Sequence, residues 1–234
     1  MIVDVPKLRR ALREEGFLVR ADKASAGYLK GYDFRPDVVF DVGVHQGTPF
    51  LYKTFPDTKF VLVDPKPEAE EAVRGSGLLK DFDFHATALG AGNERAVLEI
   101  PTTEPGKGGA MASLMERKDH LKDTFTSVER RDVDVVRLDD IAKEYPGSVG
   151  LKIDTEGYEL NILNGGPETL KRCVFVILEM SVTERFANLA APSVMIDLLA
   201  KAGLEFRDVL AVSHAPGKYA RPRHFDILFT RWSA

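Results

Sequence analysis

Residues 149–166 read Val-Gly-Leu-Lys-Ile-Asp-Thr-Glu-Gly-Tyr-Glu-Leu-Asn-Ile-Leu-Asn-Gly-Gly and are the most informative part of the chain. An apolar run that ends in an acidic residue, followed by a glycine and helix-spaced apolar residues, predicts a buried strand leading into a helix. Lys152 and Asp154 are two residues apart on that strand, so they share a face and require each other or a ligand. Because a similar turn, Asp-Val-Gly-Val-His-Gln-Gly, occurs at 41–47, the sequence indicates an α/β enzyme with its site at the carboxyl edge of the sheet.

Bulk composition narrows the class of protein. The 234 residues fit a single domain, with 44% hydrophobic and 29% charged residues, which is typical of globular proteins. The formal net charge of -4 argues against non-specific nucleic-acid binding. The single cysteine, Cys173, excludes an internal disulfide and fits a reducing compartment. We find no apolar run of membrane-spanning length and no signal-peptide pattern at the N-terminus, so we expect a cytoplasmic protein without membrane partners.

The chain divides into an N-terminal helical extension, 1–33, and a main domain, 34–234. Leu8, Ala11 and Leu12 recur at helical spacing in the extension, which we interpret as a covering helix, with a substrate lid or a homodimer contact as alternatives. Alternating strands and helices in the main domain predict a largely parallel sheet, and the last two strands, without a helix between them, predict an antiparallel pair. The predicted strands are 38–43, 59–64, 82–89, 96–100, 132–138, 150–154, 173–180, 204–212 and 225–230.

The turn at 41–47 is a candidate cofactor loop. Gly43 permits a sharp turn after the strand, and Gly47 permits close approach of backbone to a ligand. Asp64, 21 residues after Gly43, is placed to accept hydrogen bonds from ribose hydroxyls, and we favour this role over the alternative of a cap on the following helix. The loop lacks the patterns G-x-G-x-x-G and G-x-x-x-x-G-K-[ST], so a nucleoside without a diphosphate fits better. S-adenosylmethionine (SAM) is the candidate, with Asp41 near its methionine part and His45 in the same loop.

Several motifs in order resemble the FkbM-type SAM-dependent methyltransferases over about residues 34–180. The resemblance implies a seven-stranded, class I Rossmann-like sheet and methyl transfer to a hydroxyl oxygen of a sugar or natural product. It also places Ala88 and Ser113 near the cofactor. The chain departs from the family at Val44-His45, at Ala91, and at Asp64, where glutamate is more usual. The motifs are Val-Phe-Asp-Val-Gly at 39–43, Ala-Leu-Gly at 88–90, Ala-Ser-Leu at 112–114, Arg-Leu-Asp-Asp-Ile at 137–141 and Leu-Lys-Ile-Asp-Thr-Glu-Gly-Tyr-Glu-Leu-Asn-Ile-Leu-Asn-Gly at 151–165.

Acidic residues at two neighbouring strand tips are candidates for the chemistry. Asp154 and Glu179 would meet if their strands are adjacent, either as a base with its orienting partner or as ligands for Mg²⁺. The alternative is a structural ion cluster of Lys152, Asp154, Glu156 and Glu179. His214 and His224, which bracket the connection between the last two strands, are alternative general bases.

Two loops are candidates for substrate selection. The segment 102–127 is longer than a normal connection and could act as a lid. Lys218, Arg221 and Arg223 could bind a phosphate or carboxylate, or could equally be ordinary solvated charges. On the first reading we expect a small hydroxylated acceptor that is anionic, such as a nucleotide-linked sugar. A dinucleotide-dependent oxidoreductase is disfavoured by the missing third glycine, and a non-catalytic binding module of the same fold remains an alternative.

Overall fold

The computed structural model describes residues 4–17, 21–104, 107–108, 110–118, 120–214 and 220–232. A short 3₁₀ helix spans His120–Thr124. The α-helices are α1 (Val5–Glu14), α2 (Ala26–Lys30), α3 (Pro49–Thr54), α4 (Glu68–Ser76), α5 (Leu138–Ala142), α6 (Glu159–Asn164), α7 (Pro167–Arg172) and α8 (Pro192–Lys201). The strands are β1 (Val38–Val42), β2 (Lys59–Val63), β3 (Asp83–His85), β4 (Ala88–Gly90), β5 (Glu94–Glu104), β6 (Lys107–Gly108), β7 (Ser127–Arg137), β8 (Val149–Ile153), β9 (Cys173–Ser181), β10 (Leu204–His214) and β11 (Pro222–Arg231).

A seven-stranded sheet forms the centre of the molecule, in the order β10-β11-β9-β8-β1-β2-β3. The five strands from β9 to β3 are parallel, and β11 runs antiparallel to both β9 and β10. This confirms the predicted mostly parallel sheet with an antiparallel last strand. The chain order reverses direction between β1 and β8, which creates a crevice at their carboxyl ends.

Apolar side chains bury both faces of this sheet. Alternate residues of the central strands point to opposite faces, so Phe40 and Leu151 join one core cluster while Val39 and Leu62 join the other. β1 and β8 are buried along their whole length, as expected for strands covered on both faces. The central strands are therefore a rigid base for the side chains at their ends.

The predicted strand 82–89 is wrong as a single element, because it forms two short strands in different sheets. Residues 83–85 pair with β2, whereas Ala88–Gly90 pair with β7 in a second sheet of order β4-β7-β5-β6. Between them the Thr87 hydroxyl donates to the Asp134 carbonyl at 2.8 Å, which directs the chain out of the first sheet. β5 and β7 pair over nine residues, so this second sheet reaches well beyond the strands predicted at 96–100 and 132–138.

The N-terminal helices differ in how they meet the main domain. α1 has no buried residue, whereas Leu29 of α2 packs in the core against the face that carries Val39. Lys23 pairs with Asp208 of β10 at 2.6 Å. The division at 33/34 remains a prediction. Across the described residues, no helix is long and apolar enough to cross a membrane.

Candidate active site

A cavity of about 460 Å³ lies at the carboxyl ends of β1, β2 and β8, in the crevice where the strand order reverses. One end is lined by the turn 42–50 and by residues 63–66 and 87–89. The other end is lined by residues 153–156, Glu179 and Asp226, and Lys152 contacts both ends through the Gly43 carbonyl and Asp154. Ala110, Ala112, Ser113 and Leu114 contribute from the long loop. The two acidic strand tips predicted from the sequence therefore face one cavity.

The glycine turn packs directly against the end of β8. Gly43 has φ +78°, and a Cβ at this position would lie 1.8 Å from the Asp154 carbonyl oxygen. Its N–H donates to the Val63 carbonyl at 2.9 Å, so the turn is held by both neighbouring strands. Only glycine adopts this conformation and leaves room for the approaching backbone.

Asp64 lines the cavity and does not cap the following helix, because the N-cap of α4 is Pro67 and receives no side-chain hydrogen bond. It is 2% exposed. One carboxylate oxygen accepts the His45 N–H at 2.8 Å, and the other accepts the Lys66 N–H at 2.9 Å. Asp64 therefore shapes the glycine loop and the start of the next segment, and each oxygen retains acceptor capacity for a ligand.

Asp41 lies beneath the cavity rather than in its wall, and it is 0% exposed. One of its oxygens accepts the Tyr52 hydroxyl at 2.7 Å, and the other lies 3.2 Å from Lys152 Nζ. Lys152 lies 3.6 Å from Asp154 as well, and it donates to the Gly43 carbonyl at 3.2 Å. Burial lowers the pKa of Lys152, but the attraction of Asp41 and Asp154 outweighs it and holds the pKa above its ordinary value. Asp41 is thus connected to the cavity wall by its ion pair with Lys152.

Carboxyl groups from three adjacent strands form a row in the wall of the cavity. The parallel register of β8 and β9 pairs Ile153 with Leu178, so Asp154 and Glu179 follow side by side. The antiparallel register of β9 and β11 places Asp226 opposite Glu179. We call Asp154, Glu179 and Asp226 the acid row.

Burial and mutual repulsion raise the pKa values of Glu179 and Asp226 in the acid row. Burial, together with repulsion from Asp154 and Glu156, holds the pKa of Glu179 well above its ordinary value. Burial and repulsion from Asp154 raise the pKa of Asp226 to about 6, against the opposing attraction of Lys152. A carboxyl that binds its proton more tightly than usual is a better base once it is ionised.

Two buried arginines hold the loop that follows the acid row. Arg117 pairs with Glu156 at 2.8 Å, and Arg185 pairs with the same carboxylate oxygen. Phe186 packs against both guanidinium groups, with centroid distances of 4.5 and 5.2 Å. Glu156 has φ +54°, and its carbonyl accepts the Ser113 hydroxyl at 2.7 Å. Of the ion cluster predicted from Lys152, Asp154, Glu156 and Glu179, the structure pairs Lys152 with Asp154 at 3.6 Å. Glu156 instead pairs with two arginines that the sequence analysis did not identify.

His224 is engaged at both ring nitrogens. Its Nε2 lies 3.0 Å from Glu179, and its Nδ1 accepts from Arg185. Burial and the positive charge of Arg185 lower its pKa to about 4. These contacts favour a neutral imidazole that orients Glu179, which makes His224 a poor general base near neutral pH.

The remaining candidates are distributed between the cavity and its surroundings. Ala88, His45 and Ser113 line the cavity, whereas Arg221 and Arg223 are not among its lining residues. Lys218 and the side chain of His214 lie outside the described residues. Within the described chain, no group of three or more His, Cys, Asp or Glu side chains is arranged to hold a metal ion.

Asp226 is the principal residue that the sequence analysis missed, although a signal for it was present. In 224–228 the residues His, Phe, Asp, Ile and Leu alternate partly in polarity, and an antiparallel last strand begins at the carboxyl edge. The roles of Arg117 and Arg185 had no such signal, because these residues belong to separate irregular segments that meet only in the fold.

Solved structures similar to this chain include magnesium protoporphyrin IX methyltransferase (ChlM) from Synechocystis PCC 6803 with bound SAM, with TM-score 0.48, 8% identity, and coverage of 99% of this chain and 86% of that chain. The N-methyltransferase NodS from Bradyrhizobium japonicum WM9 gives TM-score 0.45 and 11% identity, covering 98% of this chain and 99% of that chain. Similarities this distant do not indicate a function. A sequence comparison with curated proteins finds no match. The family model described as Methyltransferase FkbM domain matches residues 41–206, most of the chain, and this protein therefore belongs to the FkbM methyltransferase family.

Proposed function

We propose that this protein transfers a methyl group from SAM to a hydroxyl oxygen of a small molecule, such as a sugar, a nucleotide-linked sugar or a natural product. The observation that carries the proposal is that one cavity joins the glycine turn and Asp64 to the acid row. A nucleoside-binding end and a proton-accepting end are the two requirements of such a transfer. Membership of a methyltransferase family supports the same reaction class.

The end of the cavity that is lined by the glycine turn and Asp64, here called the cofactor end, fits SAM. Asp64 presents carboxylate oxygens to the cavity, where ribose hydroxyls would donate to them. Residues 43–47, Ala88 and Ser113 line the same cavity. In this proposal Asp41 positions the turn through Lys152, because it is buried beneath the wall.

The end of the cavity that is lined by the acid row, here called the acceptor end, fits the removal of a proton from a hydroxyl group. When bound, SAM supplies an electrophilic methyl group on a positively charged sulfur. The protein must hold the acceptor oxygen in line with that methyl group, and such alignment contributes up to about 7–11 kcal/mol in favourable intramolecular reactions. It must also accept the hydroxyl proton, for which the carboxyl groups of Asp154 and Glu179 lie at the cavity wall.

Metal-assisted O-methyl transfer is the alternative reaction at the same carboxylates. Glu179 is already engaged by His224, and Asp154 lies 3.6 Å from Lys152, so neither carboxylate is presented solely to a cation. Chelation separates the two reactions, because the metal-assisted one is lost in EDTA and is restored by Mg²⁺. A non-catalytic nucleoside-binding module would bind the cofactor and never turn it over.

An anionic acceptor remains our expectation from Lys218, Arg221 and Arg223. Arg223 lies next to His224 on the strand that carries Asp226, so this strand could present it to the part of an acceptor that extends beyond the cavity. In this proposal the substitution of Arg221 and Arg223 by alanine raises KM for an anionic acceptor and leaves kcat unchanged. An unchanged KM would remove these arginines from the acceptor site.

Calorimetric titration with S-adenosylhomocysteine tests the cofactor site. We expect micromolar binding, no binding of NAD⁺, and affinity about 10-fold to 100-fold weaker in Asp64→Ala, the loss expected for hydrogen bonds to a charged group. Asp64→Asn keeps one acceptor and should fall between the two. Asp134→Asn, which neutralises an exposed carboxylate on β7, is the matched control. Absence of S-adenosylhomocysteine binding by the folded wild type would contradict the proposal.

A further inference from the structure

We infer that Asp226 is the general base that removes the proton from the acceptor hydroxyl. This inference rests on the proposed function and assigns its proton-accepting step to one residue. Neither the family match, which ends at residue 206, nor the sequence motifs include Asp226. The assignment follows from where β11 places this carboxyl and from how the competing groups are engaged.

Asp226 lies in the cavity wall because β11 runs antiparallel to β9. An antiparallel strand enters the sheet from the carboxyl edge, so its first residues lie level with the last residues of its parallel neighbours. Asp226 pairs with Glu179 and lies beyond Ile227, which pairs with Leu178. The side chain lines the cavity together with Asp154 and Glu179.

Asp154, Glu179 and His224, the competing bases whose side chains the structure describes, have partners. Asp154 is shared with the Lys152 ammonium at 3.6 Å. Glu179 is held by His224 at 3.0 Å and by Arg185 at 3.6 Å. His224 uses both of its nitrogens in these contacts. Among the residues that the structure describes, none forms a hydrogen bond or ion pair with the Asp226 carboxyl.

The surroundings of Asp226 suit a base that works near neutral pH. Lys152 and Asp154 face it from β8, Glu179 faces it from β9, and on β10 it is opposite the uncharged Ala211. Burial and Asp154 raise its pKa to about 6, so it is ionised at pH 7 and still binds a proton well. The positive charge of Lys152 limits this rise in the pKa of Asp226. The same ammonium group interacts with Asp226 and donates a hydrogen bond to the Gly43 carbonyl of the glycine turn.

The proposed step balances without any further reactant. A lone pair of the acceptor oxygen forms the new O–CH₃ bond while the S–CH₃ bond breaks. The electron pair of the broken S–CH₃ bond stays on sulfur. The sulfonium becomes the neutral thioether of S-adenosylhomocysteine. The hydroxyl proton passes to the Asp226 carboxylate and is then released to water.

The test measures release of S-adenosylhomocysteine from SAM in the full-length protein. The acceptors are a panel of hexoses, nucleotide-linked hexoses and hydroxylated natural products. A second assay measures the transfer of tritiated methyl groups from SAM to the small molecules of a cell extract. Asp226→Asn keeps the shape of the side chain and removes the base, whereas Asp226→Glu retains a carboxylate. Asp134→Asn is again the matched carboxylate-to-amide control. Each variant is also titrated with S-adenosylhomocysteine.

We expect Asp226→Asn to lower kcat/KM by about 100-fold or more, because a positioned general base contributes about 10²–10⁴-fold. Its affinity for S-adenosylhomocysteine should stay within about twofold of wild type, as expected for a residue outside the cofactor end. In the wild type kcat/KM should rise with pH up to a plateau above pH 6, and this acid limb should disappear in Asp226→Asn. Asp226→Glu should recover part of the activity.

Three other outcomes would overturn the inference. Activity of Asp226→Asn within about tenfold of wild type, or an unchanged acid limb, would assign the base elsewhere and leave the methyltransferase proposal intact. Loss of S-adenosylhomocysteine binding in this variant would show a structural role for Asp226. If wild type binds S-adenosylhomocysteine but transfers no methyl group to any acceptor in the panel or the extract, the proposed function itself is wrong.

Discussion

The two ends of the cavity differ in how their charged groups are satisfied. At the cofactor end, Asp41 is bonded to Tyr52 and Lys152, and Asp64 accepts two backbone N–H groups. At the acceptor end, Asp154 and Glu179 also have partners, but Asp226 has a raised pKa and no hydrogen-bond or ion-pair partner among the described residues. Paired charges hold a backbone in place, whereas an unpaired carboxyl in a cavity is available to a substrate. If this comparison holds, substitutions at the cofactor end should destabilise the protein, and substitution of Asp226 should not.

The largest effect is expected for Gly43→Ala. The new Cβ would meet the Asp154 carbonyl at 1.8 Å in a left-handed conformation, so both the turn and the end of β8 must shift. Backbone strain and overpacking together should cost about 5 kcal/mol, or prevent folding. Urea denaturation measures the loss. Gly92→Ala is the matched control, because nothing lies within 4 Å of its Cβ position, and it should be close to neutral.

Lys152→Met should cost about 3–4 kcal/mol, because it leaves the Asp41 carboxylate buried without its cation. The pKa of Lys152 is raised in the folded state, so its stabilisation is complete below about pH 10, the ordinary range of lysine, and is lost only above it. The difference between variant and wild type should therefore be the same at pH 8 and pH 9, where Asp226, with its pKa of about 6, is ionised in the wild type. Adding Asp41→Asn should recover part of the loss. A cost below about 1 kcal/mol would mean that this pair is not a structural support.

A smaller loss is expected for Tyr52→Phe, which removes the 2.7 Å hydrogen bond to Asp41 and keeps the ring packed against Phe60. A hydrogen bond to a charged group is worth about 1.5–3 kcal/mol, so about 2 kcal/mol should be lost in chemical denaturation. Tyr158→Phe serves as the control, since its hydroxyl lies 3.5 Å from Glu94 in an exposed contact, and should change little. Equal effects of the two substitutions would contradict the claim that the cofactor end depends on paired charges.

The same comparison explains how much could be predicted from the sequence. Apolar periodicity and the glycine turns predicted the sheet, because strand pairing and burial follow local patterns such as that around Lys152 and Asp154. Periodicity could not show the break at Thr87, which depends on a hydrogen bond to Asp134 in another sheet. Nor could it show that Asp41 turns its carboxylate beneath the cavity, since that requires Tyr52 and Lys152 to meet it from two other elements.

The opposite sign is expected for Asp226→Asn. The folded-state pKa of about 6 exceeds the ordinary value, so the folded protein binds a proton here more tightly than the unfolded chain. Stability contributed by this group is therefore present at low pH and is lost as pH rises from about 4 through 6. Asparagine removes the ionisation, and because the side chain reaches cavity solvent we expect a gain of only about 1 kcal/mol at pH 8. At pH 4 the gain should vanish.

Denaturation of wild type and Asp226→Asn at both pH values measures this difference, and Asp134→Asn controls for the change in net charge. A loss of stability at pH 8 would show that the Asp226 carboxylate has a stabilising partner, and the distinction between the two ends of the cavity would then fail. A gain at pH 8 together with lost turnover would instead mean that the protein retains a destabilising carboxyl where the reaction needs a base. That combination is what a trade-off between stability and activity predicts for a catalytic group.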